Sequence, residues 1–264
     1  MMDTPRERWG EGDAYEHFMG RWSLEVAGHF LDWLRPAPHQ HWLDMGCGTG
    51  ALTKTIAAYT QPQSVVGLDP SFDFGRYAAQ QSIQASFIVA DGQSLPVRDK
   101  VFDTVVSGLA LNFINQPERA LAEMHRVVRT AGLVAAYVWD YAGKMEFLRY
   151  FWDAALELDA SAVSSHEGHR FPICQPESLL QLWRGAGFHD VSVIAIDITT
   201  IFDSFERYWR SFTLGNFPAP QYVASLAPKP RSRLREHLGT RIPIADDGSI
   251  RLTARVWAVR GYST

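Results

Sequence analysis

Short apolar runs alternate with longer segments of helical periodicity between residues 41 and 139. The runs HWLDM, SVVGLD, ASFIVAD, VFDTVVSGLA and LVAAYVW are largely apolar throughout, instead of alternating apolar with polar residues. Strands of this kind are buried on both faces, and the connections between them are long enough for helices. The pattern therefore predicts a doubly wound, Rossmann-like α/β sheet, mostly parallel, with helices on both faces and ligands beyond the carboxyl ends of its strands.

The rest of the chain adds elements to this sheet. Apolar spacing predicts a helix from Tyr15 to Leu34 and another over PERALAEMHRVVRTAG, and DVSVIAIDI and IRLTARVWAVRG predict two more strands, seven in all. Residues 142–175 and 202–250 interrupt the rhythm, the second with two predicted helices. We predict one domain over residues 1–264: an N-terminal helix within 1–36, a core in 37–141, and two inserted helical segments, 142–175 and 202–250, that lie above the ligand-binding edge of the sheet.

Composition and charge narrow the class of protein. The 264 residues are 46% hydrophobic and 20% charged, as in globular proteins. Two distant cysteines without metal-ligand spacing suggest neither a disulfide framework nor a metal site, and no apolar run resembles a signal peptide or membrane span. We therefore expect a cytoplasmic location. A net charge of −4 argues against a nucleic-acid partner, and the basic stretch 228–241 is predicted to be a solvated helix face.

Three glycines at alternate positions follow the first predicted strand. Gly46, Gly48 and Gly50 open the next helix, where backbone amides and the helix dipole face a ligand. Glycine permits close approach and positive φ at such a turn. The spacing is G-x-G-x-G, whereas the dinucleotide fingerprint is G-x-G-x-x-G. A nicotinamide-dependent oxidoreductase therefore remains an alternative that this spacing disfavours.

An aspartate follows each of the first three strands. Asp44, Asp69 and Asp91 stand at neighbouring strand tips. An acid after the second strand can accept from ribose hydroxyls, and one after the third can accept from an exocyclic amino group. Three carboxylates would repel a diphosphate but suit a ligand with cationic groups. The set predicts a nucleoside that is cationic at its centre.

The ordered motifs LDMGCGTG, VVGLDPS, VADGQSLP, FDTVVSGLALNF and EMHRVVRTAGLVAAYVW resemble the class I S-adenosylmethionine-dependent methyltransferases. The resemblance is to the small-molecule branch that includes ubiquinone and menaquinone biosynthesis enzymes, and it covers roughly residues 13–141. It implies S-adenosylmethionine as cofactor, an antiparallel last strand and a small-molecule acceptor. The family commonly has Pro-Gly where this chain has Thr130 and Ala131.

The resemblance also implies a cofactor site, residue by residue. The glycine loop would lie along the methionine part, the acids would hold the amino group, ribose and adenine, and the fourth strand tip would lie under the sulfonium. Residues of the N-terminal helix would close over the cofactor. The implied residues are Tyr15, Arg21, Asp44, Gly46, Cys47, Gly48, Asp69, Pro70, Ser71, Asp91, Gly92, Gln93, Ser107, Gly108 and Leu109.

Several residues are candidates for binding the methyl acceptor. Trp139, Asp140 and Tyr141 follow the fifth strand and could line a pocket. Aromatic residues of the two inserted segments fit core packing or a substrate cover, and His166 and His169 fit either a general base or an ordinary polar loop. No catalytic residue is assigned. A non-catalytic protein that keeps the nucleoside site is a further alternative, because a fold does not determine activity. The aromatic residues are Phe147, Tyr150, Phe151 and Trp152 in the first segment and Tyr208, Trp209, Phe212 and Phe217 in the second.

Overall fold

One seven-stranded sheet forms the centre of the protein. A computed structural model describes residues 20–81, 84–214 and 217–264. The strands lie in the order β3-β2-β1-β4-β5-β7-β6. They are β1 (His41–Met45), β2 (Ser64–Asp69), β3 (Ser86–Val89), β4 (Phe102–Gly108), β5 (Val128–Trp139), β6 (His189–Phe202) and β7 (Ile250–Tyr262).

Strand direction creates a crevice at the middle of this sheet. β1 pairs in parallel with both β2 and β4, and β3 and β5 extend the parallel set outward. β7 runs antiparallel between β5 and β6. The chain winds from β1 to one side and then returns to β4 on the other, so the connections above β1 and β4 diverge. These findings confirm the predicted doubly wound, mostly parallel sheet with an antiparallel last strand.

Ten helices are described around the sheet. Among the described residues, none is long and apolar enough to cross a membrane. The first helix packs on the second and on β6. The helices are α1 (Arg21–Leu34), α2 (Ala51–Tyr59), α3 (Phe72–Gln80), α4 (Pro117–Val127), α5 (Glu146–Leu158), α6 (Glu167–Arg170), α7 (Pro176–Gly185), α8 (Phe205–Arg210), α9 (Pro218–Ser225) and α10 (Pro228–Arg241).

The structure corrects two helix predictions. α4 ends at Val127, five residues before the end of the predicted segment, because Val128 already pairs with Phe102 as the first residue of β5. Ala131 then adopts a positive φ of 58°, the conformation that glycine tolerates best. The described part of residues 202–250 also holds three helices instead of the predicted two. α9 begins at Pro218 and α10 begins at Pro228, so a proline stands at the start of each helix.

The aromatic residues of the inserted segments form a core. Phe147 and Phe151 each stack on Phe212, with ring centroids 4.9 and 4.4 Å apart. The buried hydroxyl of Tyr208 donates to the Phe147 carbonyl at 2.9 Å, so its polar end is satisfied. Trp152, Tyr208 and Phe212 are almost fully buried. Of the two predicted roles for these aromatic residues, the structure supports packing.

The basic stretch forms α10, as predicted, with most of its cations exposed. Arg231 donates to the carbonyls that end α9, Arg235 pairs with Glu206, and Arg241 pairs with Glu157. These contacts hold the inserted segments together.

Candidate functional site

The glycine loop turns where side chains cannot fit. Gly46, Gly48 and Gly50 have φ values of 74°, 53° and 89°. A Cβ on Gly46 would lie 2.4 Å from the Cβ of Ala110, which follows β4. Above Gly48, by contrast, a Cβ would meet no atom within 4 Å. The loop therefore packs tightly against the β4 side while Gly48 faces open space.

The amides of this loop are already used within the protein. Those of Gly46 and Cys47 both donate to the Leu68 carbonyl, at 2.7 and 3.0 Å. The Gly48 amide donates to Asp69 Oδ2 at 2.9 Å. A pyrophosphate cradle needs such N–H groups free to point at the ligand. The loop can therefore contact a ligand through its surface, but these three amides are not free to donate to that ligand.

Asp44 lies at the bottom of the crevice and is fully buried. Thr53 Oγ1 donates to its Oδ2 at 2.6 Å, whereas its Oδ1 has no hydrogen-bond partner among the described residues. Burial, and to a lesser extent the charge of Asp69, raises the pKa of Asp44 from 3.8 to about 7. A buried acceptor without a donor is costly, so Asp44 suits a ligand that brings a positive donor.

Asp69 ends β2 beside the loop. Its two carboxylate oxygens accept from the amides of Ser71, at 2.8 Å, and Gly48. Burial raises its pKa, and these two hydrogen bonds oppose the rise. Because a carboxylate offers about four acceptor positions, two remain for a ligand. Pro70 is exposed, and Ser71 caps α3 by accepting from Phe74.

The third aspartate is more exposed than the other two. Asp91 follows the last residue of β3 by two positions, and its Oδ1 accepts from the Gln93 amide at 2.9 Å. Gly92 is buried, and a Cβ there would lie 2.9 Å from Met45 Sδ at the end of β1. The loop after β3 therefore packs against the end of β1, which places Asp91 and Gln93 on the same edge as Asp44 and Asp69.

The end of β4 forms the opposite wall. Ser107 is fully buried, and its Oγ has no hydrogen-bond partner in the described part of the chain. A Cβ on Gly108 would lie 2.6 Å from the Tyr137 hydroxyl oxygen, and Leu109 turns with a positive φ of 58°. The Leu109 amide donates to the Tyr137 carbonyl at 2.8 Å. β5 thus holds this turn in place.

Aromatic residues contact one another beyond the ends of β4 and β5. Phe113, in a 3-10 turn after β4, contacts Phe171 with ring centroids 5.2 Å apart, and Phe171 lies 5.6 Å from Tyr141 after β5. Tyr141 belongs to the predicted pocket, whereas Phe113 and Phe171 were not predicted. Trp139 is buried in the core. Asp140 has a structural role, because both of its oxygens accept from the amides of the following turn.

The histidine candidates differ in environment. His166 is buried, and its Nδ1 accepts from the Gly168 amide at 2.9 Å. Burial, followed by the charge of nearby His169, lowers its pKa. The neutral ring then carries its proton on Nε2, so neither nitrogen is free to act as a base. His169 is exposed.

The two lid candidates lie at the N-terminal end of the chain. Tyr15 lies outside the described residues, and only the backbone of Arg21, at the start of α1, is described. Thr53, which anchors Asp44, was not predicted. Its position in the first turn of α2, just after the glycine loop, was the available signal.

Comparisons with known proteins find sequence similarity to methyltransferases. The family model described as "Methyltransferase domain" matches residues 43–136. A malonyl-[acyl-carrier protein] O-methyltransferase of Geobacter sulfurreducens is 32% identical over 172 residues, which are 64% of this chain and 63% of that protein. A demethylmenaquinone methyltransferase of Renibacterium salmoninarum is 33% identical over 102 residues, 39% of this chain and 42% of that protein. Both alignments span less than two thirds of the relative.

Solved structures show the same fold. A protein described as a methyltransferase from Bacillus halodurans superposes with a TM-score of 0.60 at 17% identity, covering 91% of this chain and 100% of that one. The matching residues 43–136 run from β1 into β5 and include the glycine loop and all three aspartates. Residues 43–136 therefore match a methyltransferase domain, and the chain shares its fold with a solved protein that is described as a methyltransferase.

Proposed function

We propose that this chain transfers a methyl group from S-adenosylmethionine to a small-molecule acceptor by in-line displacement. The observation that carries the proposal is the buried, unpartnered Oδ1 of Asp44 beneath a loop whose amides are already used. An ammonium group satisfies such an acceptor, whereas the nearby carboxylates would repel a diphosphate and the amides of residues 46–48 are already used.

The residues around the loop fit the parts of this cofactor. We propose that Asp44 holds the amino group, that Asp69 accepts from the ribose hydroxyls, and that Asp91 and the amide of Gln93 read the adenine edge. The glycine loop is proposed to lie along the methionine part, and the end of β4 is proposed to lie under the methionine and the sulfonium. Pro70 and Ser71 are proposed to border the adenine, with the backbone of Gly92 beside its edge. When bound, the cofactor supplies an electrophilic methyl group on a positively charged sulfur. The protein then contributes alignment and exclusion of water.

The acceptor is proposed to enter between the ends of β4 and β5. Phe113, Tyr141 and Phe171 make this wall aromatic, which favours a flat or apolar molecule. Residues 142–175 and 202–250 are proposed to cover it within one domain. The names of the two relatives support a small-molecule methyl acceptor without identifying this one. No side chain is assigned as a base: His166 offers no free nitrogen, and His169 is exposed.

Calorimetry with two ligands tests the site. S-adenosylhomocysteine carries the amino acid that 5′-methylthioadenosine lacks, while both carry the same nucleoside. Asp69→Ala should weaken both ligands about tenfold or more through lost ribose contacts, whereas Asp44→Asn should weaken only S-adenosylhomocysteine. Equal affinity of wild type and Asp69→Ala for both ligands would contradict the ribose assignment.

Two further assays address the alternatives. NADH fluorescence should show no saturable binding, and tight NADH binding would favour an oxidoreductase. Detection of S-adenosylhomocysteine release across a panel of aromatic and carboxylic acceptors should identify a substrate. Cofactor binding without turnover on any of them would favour a non-catalytic protein.

A further inference from the structure

The loop between β3 and β4 is tied to α4 at two points. At its start, Gln93 Nε2 donates to both oxygens of Asp91 at 3.1 Å, and Gln93 Oε1 accepts from the amide of Gln116, the residue that caps α4. The side chain of Asp91 is therefore held by Gln93, and Gln93 is held by the helix.

The second tie is made by two charged residues of α4. Glu123 Oε2 accepts from the Leu95 amide at 2.7 Å. Arg126 donates to the carbonyls of Leu95 and Val97, at 3.0 and 2.8 Å, and to Asp99 at 2.7 Å. It also donates twice to Glu123, both at 2.8 Å, so all five guanidinium N–H groups are used.

These contacts restrain the main chain, which matters for the site. Leu95 is buried, and Gly92 packs against Met45 with no room for a Cβ. The loop is thus clamped between β1 and α4, and its peptide orientation depends on the carbonyls that Arg126 holds. Arg126 also lowers the pKa of Glu123, so the pair remains charged at neutral pH. Lysine could not replace it, because an ammonium group lacks the planar fork that reaches carbonyls and carboxylate together.

We propose that Glu123 and Arg126 are positioning residues for base recognition: they hold the loop after β3 so that Asp91 and the Gln93 amide discriminate adenine from other bases. This inference rests on the proposed function, since it assumes that the loop faces the adenine. Neither residue needs to touch the cofactor. Both act through the backbone of Leu95 and Val97.

The test compares two ligands that differ only at the base edge. S-adenosylhomocysteine presents an amino group to Asp91, whereas S-inosylhomocysteine presents a carbonyl oxygen that the carboxylate repels. A hydrogen bond to a charged group predicts that wild type prefers the adenosyl ligand by about 10- to 100-fold. Asp91→Asn should remove most of this preference directly.

In Arg126→Gln and Arg126→Lys the preference should fall to about threefold or less, because the loop loses its fixed orientation. Glu123→Gln provides a second variant if the arginine variants do not fold, and it should also reduce the preference. Arg129→Gln is the matched control: it removes another arginine–carboxylate pair, with Asp103 at the start of β4. A general loss of stability would leave the ratio of the two dissociation constants unchanged.

The results distinguish the proposed adenine site from the positioning role of Glu123 and Arg126. Wild type that binds neither ligand, or binds both equally, overturns the proposed adenine site and this inference with it. A wild-type preference that persists in the Arg126 and Glu123 variants overturns the positioning role alone. Loss of the preference in these variants but not in Arg129→Gln supports it.

Discussion

The Asp44→Asn variant should show how much the buried carboxylate of Asp44 destabilises the ligand-free protein, independently of its proposed role in binding. The pKa of Asp44 lies near 3.8 in an unfolded chain and at about 7 in the ligand-free protein, where burial disfavours the charged form. An acid whose pKa rises on folding is most favourable to stability below its unfolded pKa. That contribution is lost as the pH rises toward the folded pKa. The ligand-free protein should therefore become less stable from pH 5 to pH 8.

The size of this effect follows from the displacement of the pKa. Each pKa unit corresponds to about 1.4 kcal/mol, so about three units cost about 4 kcal/mol above pH 7. Roughly 2 to 3 kcal/mol of this cost arises between pH 5 and pH 8. Asparagine keeps an acceptor for Thr53 but buries an unpartnered N–H, which costs about 1 to 3 kcal/mol at every pH. The change in the free energy of unfolding with pH, and not its absolute value, therefore reports on Asp44.

Urea denaturation of the ligand-free protein at pH 5, 6, 7 and 8 measures this slope. In Asp44→Asn, the fall in the free energy of unfolding from pH 5 to pH 8 should be smaller than in wild type by roughly 2 to 3 kcal/mol. Asp197→Asn is the control, because Arg255 lowers the pKa of Asp197 and its titration lies below this window. Parallel curves for wild type and Asp44→Asn would refute the assignment of a strongly raised pKa to Asp44.

Three further predictions use the same positions and the loop geometry. Wild-type affinity for S-adenosylhomocysteine should rise about tenfold from pH 6 to pH 8 as Asp44 ionises, whereas Asp44→Asn should show little change in calorimetry. In urea denaturation, Gly46→Ala should lower the free energy of unfolding by about 3 kcal/mol, because its new Cβ meets the turn after β4. Gly48→Ala should lower it by only about 1 kcal/mol, because that position has a positive φ but open space around it. Equal losses in the two variants would contradict this packing. Ala131→Gly should gain about 0.5 to 1 kcal/mol by relieving a positive φ, and a loss of stability would contradict the conformation of that turn.

Most of the fold could be predicted because apolar runs and their spacing are local properties. β1 and β2 begin and end where the sequence predicts. The end of α4 was missed, because Val127 and Val128 continue a helical apolar pattern until pairing with β4 changes the backbone. The long-range pairing of β5 with β4 overrode that local preference.

The candidate site shows the same division. The aspartates at strand tips were visible because parallel strands end at one edge. The role of Asp140 was missed even though its partners are local, since both of its oxygens accept from amides of the turn that follows it. Phe171 was also missed, since nothing local places residue 171 beside Phe113 and Tyr141.

By itself, the sequence determined the parallel sheet, the glycine turn and the acids that follow its strands. These depend on periodicity and on the conformational limits of single residues. Only the tertiary structure decided which loop amides are already used, that Asp44 is buried with one oxygen unpartnered, and that α4 clamps the loop after β3. Those properties depend on contacts between segments distant in the chain, and local preferences do not encode such contacts.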